Sequence, residues 1–193
     1  MKNFIRIATL SAITATAMML TGCASLTMTA PKSTMENTVK LRSAGMAPVA
    51  VGSFKSTLAD PKADAAINMR GTNGLAAPGG SFAQYLGDSL KAELQSAGLI
   101  DPSSKIVISG TVTQSVLNAN IGTADAKLGA RFVVTRSGAV AFDQELVVDS
   151  QWESSFMAAV AVPLAANNYE GLYRKLVAKL IDDPAFRSAV GNK

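Results

Sequence analysis

The sequence predicts an α+β domain. It should be a two-layer sandwich, with two main helices on one face of a mostly antiparallel sheet, in the order β-α-β-β-β-α. Three observations predict it. Residues 81–98 carry a helical repeat with its own start and stop signals. Residues 105–152 alternate apolar and polar side chains over three long stretches. Residues 164–181 return to the helical repeat. Helices on either side of a run of half-apolar strands belong on one face of a sheet whose other face meets water.

The first strand is expected at residues 48–54, PVAVGSF. Residues 58–80 then read as a loop, with turn signals at Asp60-Pro61, Asn73-Gly74 and Pro78-Gly79-Gly80. Within it, residues 66–70 are a candidate short edge strand. The helix that follows is closely specified. Ser81 and Gln84 have capping-box spacing, and Phe82, Leu86, Leu90, Leu94 and Ala97 fall on one side. Gly98 suits the left-handed C-terminal position, with Leu99 placed to pack back on the last turn.

The next strand covers residues 105–117. Ile106, Ile108, Gly110, Val112 and Val116 form its aliphatic face, while Ser109, Thr111 and Thr113 lie on the other. Residues 126–135 and 139–152 form a hairpin whose register can be argued. A two-residue turn at Ser137-Gly138 would set Phe132 against Asp143, and a one-residue slip reverses every side chain. A three-residue loop, Arg136-Ser137-Gly138, pairs Val134 with Val140, Phe132 with Phe142 and Leu128 with Leu146, and sets Arg131 opposite Asp143. The three-residue loop is therefore expected. Residues 157–163, MAAVAVP, read as an apolar connection buried under the last helix, with an exposed contact strip as the alternative. The last main helix carries Tyr169, Leu172, Tyr173, Leu176, Val177, Leu180 and Ile181, and Asp183-Pro184 caps a short terminal helix. The sheet face away from the helices presents Ser109, Thr111, Thr113, Lys127, Arg131, Asp143 and Glu145 to water or a partner.

The chain begins with Lys2 and Arg6 and continues through an uncharged stretch, residues 7–20. A bilayer span takes about 20 residues, so this stretch suits a secretory signal instead. It ends in Leu20-Thr21-Gly22-Cys23, which holds the only cysteine of the chain. These four residues resemble the lipobox of bacterial lipoproteins. The resemblance implies a diacylglyceryl group on the Cys23 thiol, cleavage before Cys23, and acylation of its new amino group. The plainer alternative is an ordinary secretory signal with an incidental cysteine. A thioether cannot form a stray disulfide, which suits a lone cysteine in an exported chain. Ala24 follows where inner-membrane retention would favour Asp, so resemblance to enterobacterial lipoproteins implies an outer-membrane destination. The expected organisation is a signal peptide at 1–22, a lipidated N-terminus and tether at 23–46, and a single domain at 47–193, with Thr38 to Leu41 of the tether as an alternative short strand of the domain.

Composition excludes several kinds of chemistry. There is no histidine, which removes His-based triads and general bases and most zinc sites. Cleavage would remove Lys2 and Arg6, so the full-chain balance of 18 basic to 14 acidic residues overstates the basicity. No nucleic-acid partner, metal or cofactor is expected. The pairs Asp182-Asp183 and Asp143…Glu145 read as caps and ion pairs more readily than as a two-carboxylate site. Pro78-Gly79-Gly80-Ser81 reads as a turn and cap, with anion binding as the alternative. Arg70, between Met69 and Gly71, stands as a candidate ligand for a phosphate or carboxylate. Trp152 and Phe156 are candidate partner anchors, with core packing as the plainer role. The candidate partner face is Arg70, Thr111, Thr113, Arg131 and Trp152.

The arrangement resembles small Gram-negative envelope lipoproteins of the YajG type, and more distantly the LptE-like lipoproteins of lipopolysaccharide assembly. The resemblance rests on the lipobox, a helix ending in Ala97-Gly98, three strands, and a C-terminal helix with a late acidic pair. It implies a non-enzymatic outer-membrane lipoprotein that assists an assembly or transport system, held to the membrane through Cys23 and bound to another envelope protein. The alternative is a lipid- or glycolipid-binding protein, which requires a cleft between helices and sheet. The oligomeric state is left open.

Overall fold

The computed structural model describes residues 25–191. The expected signal peptide, residues 1–22, and the lipobox-like residues Leu20, Thr21, Gly22 and Cys23 lie outside them. The elements are β1 (Ser25–Thr27), α1 (Met35–Ser43), β2 (Ala50–Ser56), β3 (Ala66–Arg70), β4 (Asn73–Ala76), α2 (Phe82–Ala97), β5 (Ile106–Asn118), β6 (Gly122–Arg136), β7 (Ala139–Ser154), α3 (Ala158–Asp182) and α4 (Pro184–Val190).

The two-layer α+β sandwich is present. The main sheet has the order β2-β5-β6-β7, and α2 and α3 bury its aliphatic face. The sheet is mixed: β2 runs parallel to β5, while β5–β6 and β6–β7 are antiparallel. A parallel neighbour follows from the crossover through α2, which returns the chain to the end where β2 began. A second sheet, β1-β4-β3, was not expected apart from the strand at Ala66–Arg70. Its strands are three to five residues long, too short to show an alternation.

The local signals around α2 act as read. Ser81 Oγ accepts from the Gln84 amide at 3.0 Å, and Gly98 adopts φ 76°, with Leu99 N–H bonding back to Leu94 O. Gly87, inside the helix, has a packing reason. A Cβ there would lie 2.8 Å from the Phe54 ring, and one on Gly110 would also collide with it. Two glycines thus let Phe54 slot between α2 and β5. At the chain end, Asp183 Oδ1 accepts from the amides of Ala185 and Phe186 and starts α4.

Four expectations are corrected. Residues 23–46 do not form a tether over their described part. The arm from Ser25 adds β1 to the small sheet, then α1 packs on α2 with Asn37, Thr38 and Leu41 buried. Two carboxylates hold this arm. Glu170 on α3 accepts from Thr29 N–H at 2.8 Å and Thr29 Oγ1 at 2.9 Å. Glu93 on α2 accepts from Thr34 N–H, Thr34 Oγ1 and Asn37 Nδ2 at 3.0–3.1 Å.

The hairpin between β6 and β7 uses the two-residue turn after all. Ser137 (φ 52°) and Gly138 (φ 85°) are both left-handed, as a type I′ turn requires. The pairs Arg136–Ala139 and Thr135–Val140 follow it, and then Val134 pairs with Phe142, leaving Ala141 as a bulge. The bulge restores the parity that the turn alone would have broken. Phe142 and Leu146 are buried, but Leu146 faces Ala130 and Leu128 faces Val148, two residues from the expected register. Arg131 lies opposite Glu145, not Asp143.

A second bulge, at Thr113, changes which face of β5 is buried past Val112. Leu117 points inward and Val116 outward, the reverse of the alternation read from sequence. Finally, MAAVAVP is not a connection. All but its Met157 belongs to α3, with Pro163 inside the helix. Pro163 sits in the second turn on the exposed side, where its missing N–H removes one hydrogen bond at the helix surface.

Candidate functional site

The strand periodicity builds one broad feature, the sheet face that none of the described helices covers. Thr111 on β5, Arg131 on β6 and Glu145 on β7 are successive register partners, and Lys55 on β2 extends the row through Thr111. A single line of polar side chains therefore crosses all four strands. Thr113 reaches the same face at its bulge and donates from Oγ1 to Glu145 Oε1 at 2.6 Å. Arg131 makes a fork to Asp143, with Nη2 to Oδ2 at 2.6 Å. Asp143 holds its carboxyl below the usual range because the Arg131 guanidinium hydrogen-bonds it. The face is polarised. Lys55, Lys127 and Arg131 stand on β2 and β6, and Asp143, Glu145 and Asp149 line the β7 edge.

Thr111, Thr113 and Arg131 thus come together, but the other two candidates do not join them. Arg70 ends β3, and its guanidinium is spent on the protein's own backbone. Nε donates to Ala119 O at 2.8 Å, Nη1 to Ser155 O at 2.8 Å, and Nη2 to Ser154 Oγ at 3.1 Å. It clamps the β5–β6 loop to the β7–α3 junction. Replacing Arg70 by leucine should cost about 2 kcal/mol, because half-buried carbonyls lose charge-assisted donors. Arg70→Lys should recover less than half, since an ammonium cannot span that fork. Urea denaturation of the three proteins measures both.

Trp152 pairs with Ala124 and faces the helical layer, so it lies on the opposite side of the sheet from Arg131. Its Nε1–H is buried with no acceptor among the described residues. An unsatisfied buried donor costs about 1–3 kcal/mol. Trp152→Phe removes that cost along with some packing, and should leave the unfolding free energy within about 1 kcal/mol of the parent. A much larger loss would show that the indole has a partner after all.

The remaining sequence candidates are occupied internally. The N-terminus of α2 already holds an anion: Asp64 accepts from Ala83 N–H at 3.0 Å and from Ser81 Oγ at 2.6 Å. Asp182 pairs with Lys40 and Arg187, and Asp183 is the α4 cap. The cleft needed for lipid binding between helices and sheet is filled among the described residues: Phe132, Phe142 and Leu176 are buried in one core. The surface cleft beside β2 holds about 250 Å³ and is lined in part by Gln84, Asp88 and Lys91.

Sequence reasoning missed a polar core between α2 and α3. The Tyr169 hydroxyl bonds Ser115 Oγ at 2.7 Å and the Tyr173 hydroxyl at 3.1 Å. The Tyr85 ring meets Tyr173 edge-on, with centroids 4.8 Å apart. Ser115 points inward only because of the Thr113 bulge, which no alternation reveals.

The crystal structure of protein XCC0632 from Xanthomonas campestris, of the DUF330 family, aligns over 86% of this chain and 96% of its own, with TM-score 0.56 and 10% identity. The two chains share a fold. A provisionally described lipoprotein from Caulobacter crescentus aligns over 81% of this chain and 98% of its own, with TM-score 0.44 and 13% identity. A minor lipoprotein from Acinetobacter baumannii aligns over 70% and 90%, with TM-score 0.38 and 10% identity. No family model and no curated protein matches the sequence. Among the described residues, no helix is long and apolar enough to cross a membrane.

Proposed function

We propose that this is a lipid-anchored lipoprotein of the outer membrane that works without catalysis, as an accessory or adaptor for an envelope assembly or transport system. The lipobox at residues 20–23 supports the anchor, and Ala24 the outer-membrane destination. The observation that carries the adaptor reading is the uncovered sheet face. Its row Lys55–Thr111–Arg131–Glu145 spans four hydrogen-bonded strands and is polarised from basic to acidic. Such a surface is poor at holding a small molecule and suited to a complementary protein face, where charge sets orientation and register. The partner is another envelope protein with an acidic strip opposite Arg131 and Lys55.

The test is a mild-detergent pull-down of the intact protein, with mass spectrometry of proteins and lipids. A stoichiometric protein partner, lost in Arg131→Glu and in Thr111→Glu, is the expected result. Complexes that survive both substitutions would remove this face from the proposal. Lipid retained with no protein would point instead to lipid handling.

A further inference from the structure

One end of the sandwich exposes apolar side chains that the fold does not use. Phe156 is 77% exposed, Ile121 68%, and Met157 and Val160 each 52%, with Leu164 beside them on the next turn of α3. Ile121, Phe156, Val160 and Leu164 line one open groove, where Glu153 is the only charged residue among the described ones. The Arg70 clamp draws the carbonyls of Ala119 and Ser155 together, so the loop bearing Ile121 and the junction bearing Phe156 are held as one surface.

The start of the described chain lies at this same end. Ser25 pairs with Gly74, and Arg70 pairs with Asn73 in the hairpin that joins β3 to β4. Ser25 is therefore two strand spacings from the end of β3, about 10 Å. Cys23 precedes Ser25 by two residues, at most about 7 Å of chain. Because residues 25–43 fold onto the domain, no long spacer separates the anchor from the patch.

We propose that Ile121, Phe156, Met157, Val160 and Leu164 form a membrane-seating face, lying in the headgroup–acyl boundary of the leaflet that holds the Cys23 anchor. This rests on the reading of Cys23 as lipidated. Apolar contact at that depth is the second signal that turns a tethered domain into an oriented one. The uncovered sheet face is then held at a set angle to the membrane, not swung freely on a leash.

The single tryptophan of the chain makes a direct test possible. In a Trp152→Phe background, Phe156→Trp and Val140→Trp place an indole at the patch or at the hairpin tip, the other end of β7. Each lipidated protein, purified from the envelope, is reconstituted into vesicles of phosphatidylethanolamine and phosphatidylglycerol with and without acyl-brominated phospholipid. Interfacial side chains sit ~5–10 Å deep, so quenching at position 156 should exceed that at 140 by about threefold or more. Adding Met157→Ser and Val160→Ser should reduce the difference. Equal quenching at both positions overturns the proposal. So does an indole at 156 that is shielded from water but unquenched by bromine, because a protein or a second copy then covers the patch. The intact mass of the same samples reports whether Cys23 is acylated. If it is not, the lipoprotein reading fails by itself, and coupling the unique Cys23 thiol of the mature chain to a maleimide phospholipid supplies the anchor for the same comparison.

Discussion

Replacing Glu93 by alanine should cost about 3–4 kcal/mol, because a buried carboxylate that gathers several donors leaves each of them stranded when it goes. Glu93 is 2% exposed, and Asn37, one of its donors, is 3% exposed. The Thr34 amide and hydroxyl lose their acceptor in the same step. Thr34 also caps α1, accepting from Asn37 N–H at 3.2 Å, so the helix start loosens with it. Glu93→Gln keeps the size but turns one acceptor into a donor facing other donors, and should cost about 2 kcal/mol. Urea denaturation measures the totals. Amide exchange at Thr38, whose N–H bonds Thr34 O, should accelerate with them. Unchanged stability in Glu93→Ala would show that the arm is not part of the cooperative unit.

The second large effect is alkaline unfolding driven by tyrosine. The chain has three tyrosines, Tyr85, Tyr169 and Tyr173, all in the contact between α2 and α3. Burial pushes the Tyr85 and Tyr169 phenols up to about 12, and pushes Tyr173 well above its ordinary value. A phenol raised in the folded state contributes stability that is whole below the unfolded value of about 10 and is lost as pH climbs through the folded value. The loss therefore falls between pH 10 and pH 12. Tyr169 alone accounts for about 2–3 kcal/mol of it. Absorbance of phenolate should rise cooperatively, together with loss of far-ultraviolet circular dichroism. A smooth titration near pH 10 with the fold intact would contradict the buried cluster.

What could be read from sequence follows from how local each signal is. The helix α2 carries its cap, its apolar face and its stop within eighteen consecutive positions, Ser81 to Gly98, so nothing distant was needed to find it. The hydroxyl and charged face of β5–β7 follows from side-chain alternation alone, which is why Thr111, Thr113 and Arg131 were found together. Helix α1 escaped notice because it docks through Asn37 and Thr38 as much as through Leu41. A helix held by hydrogen bonds leaves no apolar period to recognise, although Thr34 and the basic pair Lys40 and Arg42 were legible as end signals.

The sequence by itself determined the layers of this protein: a half-apolar sheet, two covering helices, and the wet face that results. Tertiary structure alone decided the register and the arm. Bulges at Thr113 and Ala141 shift parity without altering composition, because one extra residue in a strand changes pairing and not chemistry. Glu93 and Glu170 look like ordinary surface charges in the sequence, and Arg70 like a ligand for an outside anion. Each became a fastener only when chain segments 59, 141 and 49–85 positions away were brought to it. Charge is a local property, but the donors and acceptors that give a charge its role are assembled by the fold.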